Sequence, residues 1–190
     1  MIELAPILPQ YREQLFDWRN DIKIYKWCRQ HDLLDWNSHC AWFDKLGFDK
    51  TIKMYIIKKH NKMIGVCGLT DIDLINQRAE FSLYIASSHQ KKGYGKIALI
   101  ELLFHAFLNY PFYQIWGESF SGNKAIKIFE SIGFILDGTR KKFYFKDGQL
   151  LDANLFSITR KQFYAFYNNS FFNNTNSRIS SFDFFKTETK

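Results

Sequence analysis

The stretch from Ala79 to Gly95, A-E-F-S-L-Y-I-A-S-S-H-Q-K-K-G-Y-G, constrains this chain most. It passes from an apolar strand through a basic, glycine-bearing turn into a long apolar helix. Leu83, Tyr84 and Ile85 suit an extended, buried strand. Gly93 and Gly95 let the backbone bend until several N–H groups point at one anion, and the following helix adds the positive end of its dipole. A strand, turn and helix of this kind belong to an α/β arrangement, and the turn is where a phosphorylated ligand would be held.

On either side of this stretch the period of the apolar residues changes. The first fifty residues read as helical, with one segment over Tyr11 to Trp18 and another over Ser38 to Leu46, capped by Asn37 or Ser38. Alternation then predicts strands over Lys53 to Lys58, Met63 to Leu69 and Ala79 to Ile85, an antiparallel meander. Leu99, Leu102, Leu103, Ala106 and Phe107 recur at helical spacing, so a helix over Lys96 to Leu108 turns one face to a core before Pro111 ends it. A short strand over Gln114 to Gly117 and a short helix over Asn123 to Ser131, closed by Gly133, come next. Phe134 to Phe145 and Leu151 to Thr159 read as strands joined at Lys146 to Gln149, where Asp-Gly marks a hairpin. One domain is expected over residues 1–167, followed by an Asn-, Phe- and Ser-rich tail, 168–190, that is disordered or partly docked.

A chain of 190 residues with 46% apolar content has material for one core. No run of about 18 uncharged apolar residues occurs. The N-terminus M-I-E-L-A-P-I-L-P lacks the features of a secretory signal, so a cytoplasmic protein with no membrane partner is expected. Cys28, Cys40 and Cys67 contain no C-x-x-C pair, and Cys28, His31, His39 and Cys40 follow no established zinc spacing, so no metal is expected. The net charge of +7 favours an anionic partner. The basic residues gather in short groups, Lys91, Lys92 and Lys96, then Arg140, Lys141 and Lys142, rather than in the long tract that would suggest nucleic acid.

Gln90, Gly93 and Gly95, with Lys91, Lys92 and Tyr94 between them, match a known cofactor-turn signature: Gln or Arg, two residues, Gly, one residue, then Gly or Ala. Asn123, Ala125 and the Gly133-Phe134 pair follow at matching spacing. On these residues, and over about Tyr11 to Phe163, the chain resembles the Gcn5-related N-acetyltransferases, the GNAT superfamily. The resemblance implies a central mixed, mostly antiparallel sheet flanked by helices and splayed at the cofactor site. It implies acetyl-coenzyme A as co-substrate and a primary amine as acceptor. The pyrophosphate would lie against Gln90, Lys91, Lys92, Gly93, Tyr94, Gly95 and Lys96, and the pantetheine arm along Leu83, Tyr84 and Ile85. Asn123 would hydrogen-bond the arm, or else cap its helix.

Acetyl transfer to an amine needs a neutral nitrogen, a donor to the oxyanion and a proton for the departing thiolate. A backbone N–H near Tyr84 or Ile85 can meet the oxyanion. Glu80 is the first candidate for the base and Glu118 the second, although either could simply pair with a cation. Phe129 stands where many members of the family carry a tyrosine, which leaves Ser119, Ser121, Tyr84, Tyr144 or water as proton donor.

W-R-N at Trp18 to Asn20, H-x-x-W-F at His39 to Phe43 and I-D-L-I-N-Q-R-A-E at Ile72 to Glu80 resemble the pseudaminic-acid pathway branch, whose acceptors are nucleotide-linked amino sugars. The hairpin, with Gly138, Arg140, Gly148 and Asp152, resembles the ribosomal-protein N-terminal acetyltransferases instead. Trp18, Trp27, Trp36 and Trp42 could stack on a sugar or base, or fill the core, and Arg19, Arg29 or Arg140 could hold a diphosphate. The leading acceptor is therefore a nucleotide-linked amino sugar, with a protein N-terminus or small amine behind it. A domain that binds acyl-coenzyme A as a sensor without transferring it is the alternative of another class. No nucleic-acid partner is expected beyond a nucleotide-linked substrate, and a homodimer is compatible with the sequence.

Overall fold

Alternating apolar residues build one seven-stranded sheet, seen in a computed structural model that describes residues 1–174, with side chains to 167. The strands are β1 (Ile2–Pro6), β2 (Lys53–Lys59), β3 (Lys62–Asp73), β4 (Arg78–Ile85), β5 (Gln114–Phe120), β6 (Ile135–Lys146) and β7 (Gln149–Thr159). The helices among the described residues are α1 (Arg12–Asn20), α2 (Ile22–Tyr25), α3 (Trp36–Lys45), α4 (Tyr94–Asn109), α5 (Ile126–Glu130) and α6 (Arg160–Asn174). The strand order is β1-β2-β3-β4-β5-β7-β6, and β4 with β5 is its one parallel pair. This is the mixed, mostly antiparallel α/β architecture expected.

The sheet separates two apolar layers. On one face Leu99, Leu102, Leu103, Ala106 and Phe107 of α4 are buried against Ala79, Ile115, Phe156 and Ile158. On the other, Leu15 of α1 and Phe43 of α3 cover Ile56 and Val66, with Trp18, Trp42 and Tyr84 packed around them. Strand side chains alternate between the layers, so neighbouring residues of β4 and β5 serve opposite faces.

Three local expectations change. Ile2–Pro6 is an edge strand paired with β2, not part of a helical stretch. The cap of α3 is Asp35, whose Oδ1 accepts from Ser38 N at 2.9 Å, rather than Asn37 or Ser38. An unexpected helix, α6, follows β7 and continues past residue 167 to Asn174, while residues 175–190 of the expected tail lie outside the described residues. Its first residue, Arg160, turns its guanidinium onto the end of α4, donating to the carbonyls of Phe107, Tyr110 and Phe112. The first two are carbonyls of the kind a helix end leaves without partners, and Phe112 lies just beyond that end. The Asp-Gly hairpin is as expected, with Asp147 at φ 50° and Gly148 at φ 78°, the two positive angles of a type I′ turn. Among the described residues no helix is long and apolar enough to cross a membrane.

Candidate active site

The parallel pair is short. β4 and β5 are in register only at Arg78 with Gln114, Ala79 with Ile115 and Glu80 with Trp116. Beyond that point β4 stays with β3 and β5 with β7, so the two strands part. Gly117 sits at the fork, where an added Cβ would come within 2.2 Å of the Phe81 ring. The ring lies on bare backbone, and any side chain at 117 would drive it out of place.

On the α4 side of the fork, the turn has the shape of an anion cradle. Lys91 has φ 62° and Gly93 φ 78°, and Gly93 is the N-cap of α4 with no side chain capping the helix. First-turn N–H groups are left for another acceptor. Gln90 Nε2 donates to Ile85 O at 3.0 Å and ties the turn back to the end of β4, while Lys92 Nζ donates to Ser88 O at 3.3 Å. A Cβ at Gly93 would meet nothing, and one at Gly95 would make only ordinary contacts from 3.6 Å outward. Gly93 is required by its backbone angle, whereas the bare surface at Gly95 is not required by the protein's own packing. A pyrophosphate fits this donor set. Lys59 reaches the Tyr94 hydroxyl and lies 4.4 Å from its ring, adding a cation that sequence reading did not place here.

On the opposite face the fork carries two carboxylates and one guanidinium. Arg29 Nη2 lies 2.7 Å from Glu80 Oε1 and 2.8 Å from Oε2, and its Nη1 is 3.4 Å from Glu118 Oε2. Thr70 Oγ1 donates to Glu80 at 3.3 Å and Tyr144 to Glu118 Oε2 at 3.1 Å. Glu118 is 2% exposed at its side chain, and its Oε1 has no hydrogen-bond partner, with Arg140 Nη1 at 3.9 Å. Burial opposes the charge on Arg29, but the hydrogen bond and ion pair with Glu80 outweigh it and hold its pKa above the ordinary value. Burial and Glu118 together push the Tyr144 phenol up.

Arg29 is held from both sides. Lys146, itself buried, donates to the carbonyls of Cys28 at 2.9 Å and Gln30 at 2.7 Å and lies 3.7 Å from the Tyr25 ring. Burial lowers the Lys146 pKa, and the two carbonyls and the ring face its ammonium in place of water. Asn20 closes the same loop by exchanging two hydrogen bonds with Leu34, at 3.0 and 2.8 Å. Arg19 lies 5.9 Å from the Tyr84 ring and donates to Cys28 Sγ at 3.0 Å.

The acetyltransferase (GNAT) domain model matches residues 2–135. The chain belongs to this family. It is 28% identical over 109 residues to the uncharacterized N-acetyltransferase p20 of Bacillus licheniformis, a match spanning 57% of this chain and 61% of that protein. It is 27% identical over 133 residues to acetyltransferase PseH of Campylobacter jejuni, 70% of this chain and 82% of that protein. The spermidine N-acetyltransferase of Vibrio cholerae, solved with CoA and spermine, superposes with a TM-score of 0.82 at 20% identity, covering 86% of this chain and 98% of that one. That likeness shows a shared fold. GNAT membership assigns the domain to acetyl-coenzyme A-dependent N-acetyl transfer.

Within this GNAT domain the expected site residues fall into two groups. Gln90 to Lys96, with Leu83 and Ile85, lie on the α4 side, Tyr84 packs on the opposite face beside Trp18, and Glu80 and Glu118 meet across the fork through Arg29. Ser119 shares strand parity with Ile115 and Gly117, so it faces the α4 side, away from the carboxylates. It is 6% exposed with no hydrogen-bond partner for Oγ. Asn123 Oδ1 accepts from Ala125 N at 3.0 Å, a local bond in the turn just before α5, whose N-cap is Ala125 and not Asn123. Phe129 is buried with its centroid 5.0 Å from Phe81 and 5.7 Å from Phe156, an apolar member of the core. Trp18 and Trp42 pack in the α1/α3 layer, whereas Trp27 and Trp36 are exposed at 36% and 42%. Among the described residues no group of three or more His, Cys, Asp or Glu could hold a metal.

Proposed function

We propose that this GNAT domain acetylates a primary amine on a nucleotide-linked amino sugar, with Glu80 as general base. The observation that carries the acceptor class is the Arg29 ion pair. Both carboxylates facing the acceptor are already met by this guanidinium, with Arg140 and Arg19 beside it, so an arriving ligand finds positive rather than negative potential. Such a surface suits a diphosphate. The resemblance of Trp18 to Asn20, His39 to Phe43 and Ile72 to Glu80 to the amino-sugar branch points the same way.

Acetyl-coenzyme A supplies a thioester and a thiolate leaving group. The two faces of the fork divide the remaining work. Glu80, on the face opposite α4, takes the proton from the amine after giving up one contact with Arg29. A backbone N–H near Tyr84 or Ile85 steadies the charge on the carbonyl oxygen. Ser119, whose buried hydroxyl has no other partner, offers its proton on the α4 face, where Phe129 cannot. A homo-oligomer accompanies this reading. The edge strand β6 exposes Phe143 and Phe145, and the Vibrio cholerae neighbour is dodecameric in one structure.

A polyamine acceptor is the second reading. The likeness to the spermidine enzyme favours it, as does the unpartnered Glu118 Oε1. The test is a thiol-release screen at fixed acetyl-coenzyme A, with UDP- and dTDP-linked amino sugars, spermidine and N-terminal peptides as acceptors. Release is expected with an amino-sugar nucleotide. Release with spermidine or peptides alone would overturn the acceptor, and thermal stabilisation by acetyl-coenzyme A with no release from any amine would mark a binding module.

A further inference from the structure

Arg29 lies on a loop between α2 and α3, 51 residues before Glu80 and 89 before Glu118, yet it touches both. We infer that Arg29 is a specificity-determining residue that keeps polycationic amines out of the acceptor site by filling, with its own guanidinium, the carboxylate pair such an amine would use. The inference rests on the reading that the acceptor enters on the carboxylate face.

Three observations carry it. The first is position, since one guanidinium spans the two strands where they part and lies within 3.4 Å of a carboxylate on each. The second is rigidity. The carbonyls on either side of Arg29, those of Cys28 and Gln30, are both bound by the buried ammonium of Lys146. The side chain therefore projects from a fixed backbone, unlike an arginine on a free surface loop. The third is the burial of Glu118, whose side chain is 2% exposed, so that without the Arg29 guanidinium beside it water could do little to offset its charge. With Arg29 in place, the two carboxylates share one close guanidinium and the more distant Arg140. Without it, two poorly solvated negative charges would stand side by side, and an ammonium from solution would be their most favourable partner.

Arg29→Gln removes the charge while keeping polar bulk. Calorimetric titration of the full chain with spermidine at low salt should show at least about tenfold tighter binding than wild type, which should bind weakly. Adding Glu118→Gln to that variant should cancel the gain. Equal affinity in wild type and Arg29→Gln, or tight spermidine binding by the wild type, would overturn the inference. Arg29→His keeps the test open if the Gln variant fails to fold. Its imidazolium fills the pocket at about pH 6 and loses its charge by about pH 9, while amines of pKa near 10 stay protonated. Spermidine affinity should rise across that range, and a flat profile would contradict the inference. Binding is read here without turnover, so an amino-sugar nucleotide that proves inert in the thiol-release screen would leave this result standing.

Discussion

At Glu80 a single carboxylate on a strand acquires its setting from residues far away in sequence. Alternation along β4 turns it away from the α4 core, its register partner Trp116 is the last of the β4–β5 pairing, and Arg29 and Thr70 hold its two oxygens. Glu80→Gln keeps the shape and removes the basicity. The expected result is a fall in kcat of roughly a hundredfold or more, with acetyl-coenzyme A affinity within about twofold of wild type, read by steady-state kinetics and calorimetry. Unchanged kcat would exclude Glu80 as base. The place of Glu80 on the strand that enters the glycine turn is legible in the sequence from alternation and the glycines that follow. Arg29 as its partner is not, since a contact across 51 residues has no local period. The solitude of Ser119 Oγ and the core packing of Phe129 likewise depend on which side of the sheet each strand presents.

Among the elements, those with a strong local period were read correctly: β2, β3, β4, α4 and the β6–β7 hairpin. β1 was not. Its five residues are held as a strand by pairing with β2 about fifty positions later, a contact with no local signal in the sequence. The start of α6 did have a signal, Thr159-Arg160-Lys161-Gln162, a capping box in which Gln162 Oε1 accepts from Thr159 N at 2.8 Å and Thr159 Oγ1 from Gln162 N at 3.2 Å. The contact between α1 and α3 turns on His39. It is 1% exposed, bonds the Arg12 carbonyl through Nε2 at 2.8 Å, and leaves Nδ1 without a partner among the rings of Phe16, Trp36, Trp42 and Phe43. Burial holds its pKa below the ordinary value; the Arg12 carbonyl opposes this, and the charges of Arg12 and Arg19 add to it. The unfolded chain therefore takes up this proton first as pH falls. The stabilisation is present above about pH 6.5 and is lost as pH drops through the folded value. In urea titrations from about pH 7.5 to about pH 5, the stability gap between wild type and His39→Gln should narrow. A constant gap would show that His39 does not titrate with folding.

For the whole molecule, one sheet keeps two chemistries apart. The α4 face holds the glycine turn and the Ser119 hydroxyl, and the other face holds the carboxylates under Arg29, on either side of the point where β4 and β5 part. The net charge of +7, which by itself fits many partners, is spent in part around that point, at Arg19, Arg29, Arg140 and Lys146. The most direct measurement is kcat/KM for a UDP-linked amino sugar against the same amino sugar without its nucleotide. If guanidinium groups grip an anionic acceptor, removing the diphosphate should lower kcat/KM by about a hundredfold or more, the loss of roughly 2.7 kcal/mol of transition-state binding. Equal values for the two sugars would contradict an acceptor site built for a nucleotide-linked amine.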